Sequence, residues 1–234
     1  MTNRTSLAVT ISAVALGAVA LSGCSDDGEA KASASMDLLR CEQFLGAGNV
    51  RSVLDSIGEG DPVASARRSP TDLAGRLARE AREWTEQDLL HDSYRACRID
   101  VPAEDGDGGQ VVEATVKWSV LTVKSMSEPK HAQTWRKVND QVFVETETGR
   151  PSMRLLVPRG VSGAPSGQKL GLPLEMEVAD PGLDVDQREK LLTTFARALT
   201  GELACADTPE IPAALPAEVV SGAMTQKDAD VHEW

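Results

Sequence analysis

The stretch VEATVKWSV, residues 112–120, decides the fold class of this chain. It alternates strictly between polar residues and apolar ones, the latter being Val112, Ala114, Val116, Trp118 and Val120. Because successive side chains of a β-strand point to opposite faces, the pattern predicts a strand with one buried and one solvated face. Strands of this kind are typical of antiparallel sheets, so we expect an antiparallel sheet.

The neighbouring segments add further strands to this expected sheet. YRACRIDV (94–101) precedes the stretch, and residues 141–157 indicate two strands joined at the turn Gly149-Arg150-Pro151. The segment LGLPLEMEV (170–178) alternates again. Because Pro173 has no amide hydrogen to donate, this last strand is expected at an edge of the sheet. The total is about five strands.

Helices are predicted on both sides of the strand region in the sequence. Residues 36–47 form a short early helix, and Ser69-Pro70 is a favourable start for an amphipathic helix of about twenty residues. Its apolar stripe consists of Leu73, Leu77, Ala81 and Trp84, and His91 is expected near its end. Its opposite, charged side is interpreted as a solvated face.

A last helix follows the strands. Asp186 and Glu189 are interpreted as a capping box, and the apolar stripe consists of Leu191, Phe195, Leu199 and Leu203. Since one sheet face is wet, the helices must cover the other face. The expected fold is therefore α+β, an antiparallel sheet of about five strands packed on one face by helices in a two-layer sandwich.

Three cysteines lie within the region of these elements: Cys41, Cys97 and Cys205. Three thiols allow one bridge and one remaining thiol. We predict a disulfide between Cys41, on the early helix, and Cys97, on a strand, with Cys205 free. The chain contains no C-x-x-C motif, so a thioredoxin-like redox role has no support.

The N-terminal segment has the layout of a signal peptide. Arg4 is its only charged residue, and the apolar run from Leu7 to Leu21 is shorter than the ~20 residues of a bilayer span. The run ends in Leu21-Ser22-Gly23-Cys24, which resembles the lipobox of bacterial lipoproteins. An ordinary secreted protein is the alternative interpretation.

The lipobox resemblance implies cleavage between Gly23 and Cys24 and a diacylglyceryl thioether on Cys24, with acyl chains such as palmitate. Two acyl chains anchor a protein stably, so the expected location is the outer face of the cytoplasmic membrane. The composition, rich in alanine and arginine, is similar to that of small actinobacterial lipoproteins of unknown function.

These features predict four regions along the chain. Residues 1–23 are the signal peptide, and 24–35 comprise the lipidated cysteine and a flexible tether without large apolar residues. Residues 36–205 form a single α+β domain. Residues 206–234 form a Pro-rich, poorly ordered C-terminal tail, of which Ile211 and Leu215 are expected to touch the domain.

The charge of the chain limits its partners. Without Arg4, 23 basic residues stand against 36 acidic ones, a net charge of −13, which argues against nucleic-acid binding. Aromatic residues make up only 3% of the chain, which disfavours a carbohydrate-binding surface.

Residue patterns for catalysis, metals or cofactors are missing from the sequence. Nucleophile-elbow, zinc-protease, P-loop and Rossmann motifs do not occur. His91, His131 and His232 are far apart, and Asp105 and Asp107 are too few for a calcium loop. We therefore expect no catalytic residue, metal or cofactor.

The leading hypothesis is a lipid-anchored extracytoplasmic binding or interaction module whose protein or small-ligand partner is unknown. The alternatives are a carrier of a hydrophobic ligand and a hydrolase with no recognisable motif. A large apolar cavity would favour the carrier. A cleft that brings a histidine and an acidic partner to a serine or cysteine would favour the hydrolase.

Overall fold

The structure is a computed structural model that describes residues 26–57, 61–102, 109–132, 134–145, 151–203 and 209–216. In chain order its elements are α1 Asp26–Leu45, α2 Ala47–Ile57, β1 Val63–Ser65, α3 Pro70–Glu83, β2 Tyr94–Val101, β3 Gly109–Trp118, α4 Val123–Met126, α5 Pro129–Ala132, β4 Trp135–Asn139, β5 Val142–Glu145, β6 Ser152–Val157, α6 Gln168–Gly171, β7 Leu174–Ala179 and α7 Val185–Glu202.

The strands form one antiparallel sheet in the order β1-β2-β3-β7-β6-β5-β4. The predicted α+β class with an antiparallel sheet is confirmed, but the sheet has seven strands rather than about five. The two additional strands, β1 and β4, are its edges. With three and five residues, they are too short to show a clear alternation in sequence.

Strand β7 was expected at an edge and instead lies between β3 and β6. Pro173 directly precedes its first residue, Leu174, so the missing amide removes no hydrogen bond from the ladder. The Pro173 carbonyl accepts a hydrogen bond from the Ser119 amide at 2.8 Å. Leu170, expected on the same strand, belongs to α6 and is exposed.

The apolar face of β3, called here the inner face of the sheet, is buried as predicted. Val112, Ala114, Val116 and Trp118 are at most 1% exposed, whereas Val120 lies beyond the strand and is exposed. The Trp118 indole donates a hydrogen bond to the Leu77 carbonyl of α3 at 3.0 Å. Helices α1 and α3 contact β2, and α7 contacts β6 and β7.

The apolar stripes of α3 and α7 supply the other side of this core. All eight predicted stripe residues are buried, from Leu73 in α3 to Leu203 after α7. Phe44 of α1 and Phe195 of α7 pack edge to face with ring centroids 5.8 Å apart. Such aromatic contacts add to the stabilisation that burial itself provides.

The disulfide Cys41–Cys97 is present and joins α1 to β2. Both cysteines are completely buried. The bridge links residues 56 positions apart, and closing a loop of that length stabilises a fold by about 4 kcal/mol in the chain-entropy model. The predicted pairing is therefore confirmed. Cys24 and Cys205 lie outside the described residues.

Three local predictions need correction. The segment expected as a flexible tether is helical from Asp26 onward, as part of α1. Ala30, Ala32 and Ala34 favour helix, and the end of α1, where Phe44 and Leu45 are buried, supplies the nucleus that helix propagation needs.

The second and third corrections concern helix ends. Helix α3 ends at Glu83 because the next residue, Trp84, packs into the core against Gly171, where a Cβ would lie 2.7 Å from the indole. His91 therefore lies in the loop before β2 rather than at a helix end. The cap of α7 is Asp184, whose carboxylate accepts the Gln187 amide, and not Asp186.

The packed domain extends beyond the predicted boundary at residue 205. Ile211 and Leu215 are 8% and 5% exposed and belong to the main core. The Asn139 side chain donates to the Glu210 carbonyl at 2.8 Å, and the Leu215 amide donates to the Glu189 carboxylate at 2.5 Å. Residues 209–216 of the predicted tail therefore pack on the domain, and 217–234 lie outside the described residues.

In the part of the chain that the structure describes, none of the helices has the length and apolar character needed to cross a bilayer.

Candidate functional site

The histidines are not paired with a nucleophile in the described part of the chain. His91 lies in the loop between α3 and β2, and His131 lies in α5. Neither side chain hydrogen-bonds a serine or a carboxylate of a described residue. His232, Asp105, Asp107, Gly23 and Cys24 lie outside the described ranges. Within those ranges no group of three or more His, Cys, Asp or Glu side chains is arranged to hold a metal.

Charged side chains cover the part of the outer face formed by β2, β3 and β7, whereas Met126 of α4 packs with Trp135, Phe143 and Leu156 in a second apolar cluster on the outer face of β4, β5 and β6. Arg95 and Arg98 of β2 approach Glu113 of β3 at 3.0 and 3.4 Å. Lys117 of β3 approaches Glu175 of β7 at 3.3 Å. The antiparallel register places these residues opposite or diagonal to each other, so the pairs follow from the strand order.

A partly buried group of charged and polar residues on this face is the Arg154 cluster, formed by Arg154, Glu145, Glu175, Ser119 and Trp135. Arg154 hydrogen-bonds both carboxylates and lies 5.3 Å from the centre of the Trp135 ring. Ser119 donates to Glu175 at 2.8 Å. Burial opposes the charge on Arg154, but hydrogen bonds and the charges of Glu145 and Glu175 raise its pKa. With its carboxylates paired, the cluster is a structural feature.

A second group of carboxylates lines a surface pocket at the end of α3, called here the acidic pocket. Its volume is about 230 Å³. Asp88 shapes the loop by accepting the Thr85 amide at 2.7 Å. The pocket is lined by Glu80, Glu83, Trp84, Asp88, Leu90, His91 and Asp92.

Glu80 has a carboxyl with a perturbed pKa. Burial raises its pKa to about 7, and the charges of Asp92 and Glu83 act in the same direction while Arg76 opposes them. One carboxyl oxygen of Glu80 accepts the Tyr94 hydroxyl, and the other is buried without a hydrogen-bond partner among the described residues. Burial likewise lowers the pKa of His91, against the charge of Asp88.

The Tyr94 hydroxyl connects this pocket to its surroundings. It lies 3.2 Å from the Asp92 carboxylate and accepts a hydrogen bond from Arg76 at 3.1 Å. A phenol has one proton, so it serves only one of the two carboxylates at a time. A neutral Glu80 relieves this shortage, which agrees with a carboxyl that titrates near neutral pH.

The other side of Tyr94 faces a pocket of opposite charge, called here the basic pocket. Its volume is about 280 Å³, and it is lined by Ser65, Arg67, Arg68, Ser93, Tyr94 and Arg95. Antiparallel pairing of β1 with β2 brings the end of β1 beside the start of β2. The Arg68 guanidinium lies 5.7 Å from the centre of the Tyr94 ring, a cation–π contact.

The arginines of the basic pocket differ in how far they are neutralised. Arg95 pairs with Glu113 at 3.0 Å. Arg67 and Arg68 form no salt bridge with any described carboxylate. The pocket therefore concentrates positive charge on a chain whose net charge is −12.

Sequence analysis did not identify either pocket. The charged residues of α3 were interpreted as a solvated face, and the Arg67-Arg68 pair was not singled out. One signal was present: Tyr94 is the only tyrosine of the chain and stands among charged residues. The pockets themselves form only when α3, β1 and β2 come together.

A third depression is apolar. It lies between α1, α2 and β1, has a volume of about 270 Å³ and is called here the apolar groove. Met36 and Leu39 of α1 and Val63 of β1 are each 49% exposed. The groove is lined by Ser35, Leu38, Leu54, Pro62, Ala64 and Ile99.

The two polar pockets flanking Tyr94 are the candidate functional site because they combine the perturbed carboxyl of Glu80 with Arg67 and Arg68, which have no salt-bridge partner among the described residues, in open depressions. Comparison of the chain with protein-family models, with curated proteins and with solved structures finds no match.

Proposed function

We propose that this protein is a lipid-anchored extracytoplasmic module on the outer face of the cytoplasmic membrane that acts by binding rather than by catalysis. The observation that carries the proposal is the fully buried disulfide Cys41–Cys97. Disulfides of this kind persist outside the reducing cytosol. The lipobox resemblance at residues 21–24 adds the anchor.

The start of α1 suits an anchored domain. The helix begins at Asp26, two positions after Cys24, and continues to the disulfide at Cys41. Fifteen helical positions separate Asp26 from Cys41, a rise of roughly 22 Å. A lipid on Cys24 would thus be connected to the sheet through α1, which the disulfide at Cys41 fixes to β2. This connection limits how freely the domain moves over the membrane.

Binding is favoured over hydrolysis by the polar groups that the pockets present. The acidic pocket contains His91 and carboxylates, and among the described residues no serine or cysteine lines it. The buried Ser119 hydrogen-bonds Glu175, and a histidine is not part of that contact. These arrangements lack the nucleophile and base that a hydrolase needs within hydrogen-bond distance.

The anchor is tested by Cys24→Ala in cells that express the full chain. We expect the wild type in the membrane fraction with a diacylglyceryl group on its first residue and with its domain accessible to protease added outside. Cys24→Ala is expected to be released or to remain unprocessed. Cys205→Ala is the matched control and stays anchored. Cys24→Ala that remains in the membrane at the mature length would refute the proposal.

The apolar groove favours a second candidate, a carrier of a small hydrophobic ligand. Its lining is mainly aliphatic, as ligand pockets usually are. A fluorescent apolar probe should bind saturably to the wild type, weakly to Leu54→Gln and normally to the control Val185→Gln, whose position is exposed on α7. Equal binding by both variants would remove the carrier hypothesis.

A further inference from the structure

We propose that the basic pocket binds a phosphate group. The proposal adds the chemistry of the ligand to the proposed binding function. It rests on that function only for the place of binding, which is outside the cytoplasmic membrane. The residues that we assign to the site are Ser65, Arg67, Arg68, Ser93 and Arg95.

The charges of the pocket favour an anion. Arg67 and Arg68 have no salt-bridge partner among the described residues, and Arg95 shares Glu113 with Arg98. Of the three guanidinium groups around this depression, only that of Arg95 has a salt-bridge partner among the described residues. An anion that enters the pocket gains from all three groups, and a planar guanidinium presents two parallel donors to a pair of phosphate oxygens.

The pocket is partly organised before a ligand arrives. The Tyr94 side chain is buried, and its ring holds Arg68 on one side while Arg76 lies 5.2 Å from the ring centre. A guanidinium stacked on a fixed ring loses less freedom on binding than a free one. The Tyr94 hydroxyl in turn donates a hydrogen bond to Glu80, and this bond fixes the ring over which the Arg68 guanidinium lies.

Neutral donors complete the site. Ser65 and Ser93 line the pocket, and their hydroxyls form no hydrogen bond with any described residue. Each has one proton to donate to a phosphate oxygen. The volume of about 280 Å³ is at the low end for ligand pockets, which indicates a small phosphate-bearing group rather than an extended ligand.

A phosphate group has two possible sources, a soluble ligand and a lipid headgroup, and the position of the pocket favours the soluble one. Arg40 of α1 donates to the Ala66 carbonyl next to the pocket. Arg40 is fourteen positions after the start of α1, a rise of roughly 21 Å. The pocket therefore lies beside the C-terminal part of α1, roughly 21 Å along the helix from the end nearest the proposed anchor.

The test measures amide chemical shifts of the full chain in neutral detergent during titration with inorganic phosphate, against sodium chloride of equal ionic strength. We expect saturable shifts at residues 65–68 and 93–95 with phosphate only. Arg67→Gln/Arg68→Gln should weaken the affinity about tenfold or more, since losing a charge-assisted contact has an effect of that size. Arg51→Gln/Arg197→Gln, exposed and outside the pocket, makes the same charge change and should bind normally.

A second arm uses phosphatidylcholine vesicles with and without phosphatidylglycerol. Extra binding to the anionic vesicles, beyond what the anchor gives with both vesicle types, that phosphate competes away would assign the headgroup as the source, and phosphate binding without this extra vesicle binding would assign a soluble ligand. Either result supports a phosphate site. Absence of saturable phosphate shifts, or equal weakening in both double variants, overturns it.

The outcome is independent of the anchor experiment. Membrane fractionation of Cys24→Ala reports on location, whereas phosphate titration reports on the pocket in the purified chain. Failure of one therefore leaves the other measurement interpretable.

Discussion

Two groups of partly buried carboxylates in this protein differ in how far neighbouring cations neutralise them. In the Arg154 cluster, Glu145 and Glu175 share one guanidinium, and Glu175 also has Lys117 and Ser119 as partners. In the acidic pocket, Glu80 has the Tyr94 hydroxyl, while burial and the charges of Asp92 and Glu83 raise its pKa and Arg76 only partly offsets them.

The difference follows from the elements that carry the charges. Residues of the Arg154 cluster lie on neighbouring strands, where a fixed register holds a cation beside each anion. Glu80 lies on α3 and faces Asp92 of a loop, and the one described cation that acts on it, Arg76, is exposed. Buried carboxylates that are paired with a cation stabilise the fold. A partly buried carboxyl without such a cation beside it, like that of Glu80, exchanges a proton near neutral pH.

The largest expected effect comes from breaking the paired cluster. Arg154→Met should lower the free energy of unfolding by about 3 kcal/mol or more, because the buried Glu145 loses the Arg154 guanidinium and Glu175 loses one of its cations. Urea unfolding at neutral pH measures this loss.

A matched control exists on the same sheet face. Arg95→Met removes the ion pair with Glu113, but the Arg95 side chain is 48% exposed, so the expected loss is below about 1 kcal/mol. Equal losses for both variants would contradict the view that burial distinguishes the Arg154 cluster.

The unpaired carboxyl should instead affect the pH dependence of stability. The pKa of Glu80 is about 7 in the folded state against 4.5 as the ordinary value, so the folded state holds more protons between these pH values. Its contribution is therefore present at low pH and is lost as the pH rises through about 7. Glu80→Gln, which stays neutral, should remove this loss.

We expect Glu80→Gln to match the wild type near pH 5 and to be more stable at pH 8 by roughly 1 kcal/mol, because water screens a half-exposed carboxyl. Urea midpoints at both pH values measure the difference. The exposed Glu86→Gln serves as the control and should keep the wild-type dependence. A wild-type dependence in Glu80→Gln would show that Glu80 is not the titrating group.

The smallest effect is expected from Tyr94→Phe, which separates the two pockets flanking this residue. Loss of the hydroxyl removes the hydrogen bonds to Glu80 and Arg76 and should cost about 1 kcal/mol or less at pH 6. The ring that holds Arg68 remains, so phosphate affinity should change less than twofold. A strong loss of phosphate binding would mean that the hydroxyl, and not the ring, organises the basic pocket.

The sequence by itself determined the features that depend on neighbouring residues. The alternation in 112–120 marked β3 and its buried face, and the stripes of α3 and α7 marked the helix faces that enter the core. The bridge Cys41–Cys97 was also predicted correctly, because only three cysteines were candidates and two of them lay on a predicted helix and a predicted strand. These signals are local because side-chain direction repeats every two residues in a strand and every 3.6 in a helix.

Only the tertiary structure decided which strands are neighbours and which charges meet. It inserted β7 between β3 and β6, added β1 and β4 at the edges, and continued α1 back to Asp26. Arg154 and Glu175 are 21 positions apart, and Arg67 and Ser93 are 26 apart, yet each pair belongs to one site. Periodicity along the chain contains no information on strand order or register, so both the paired cluster and the basic pocket arise only when the sheet assembles.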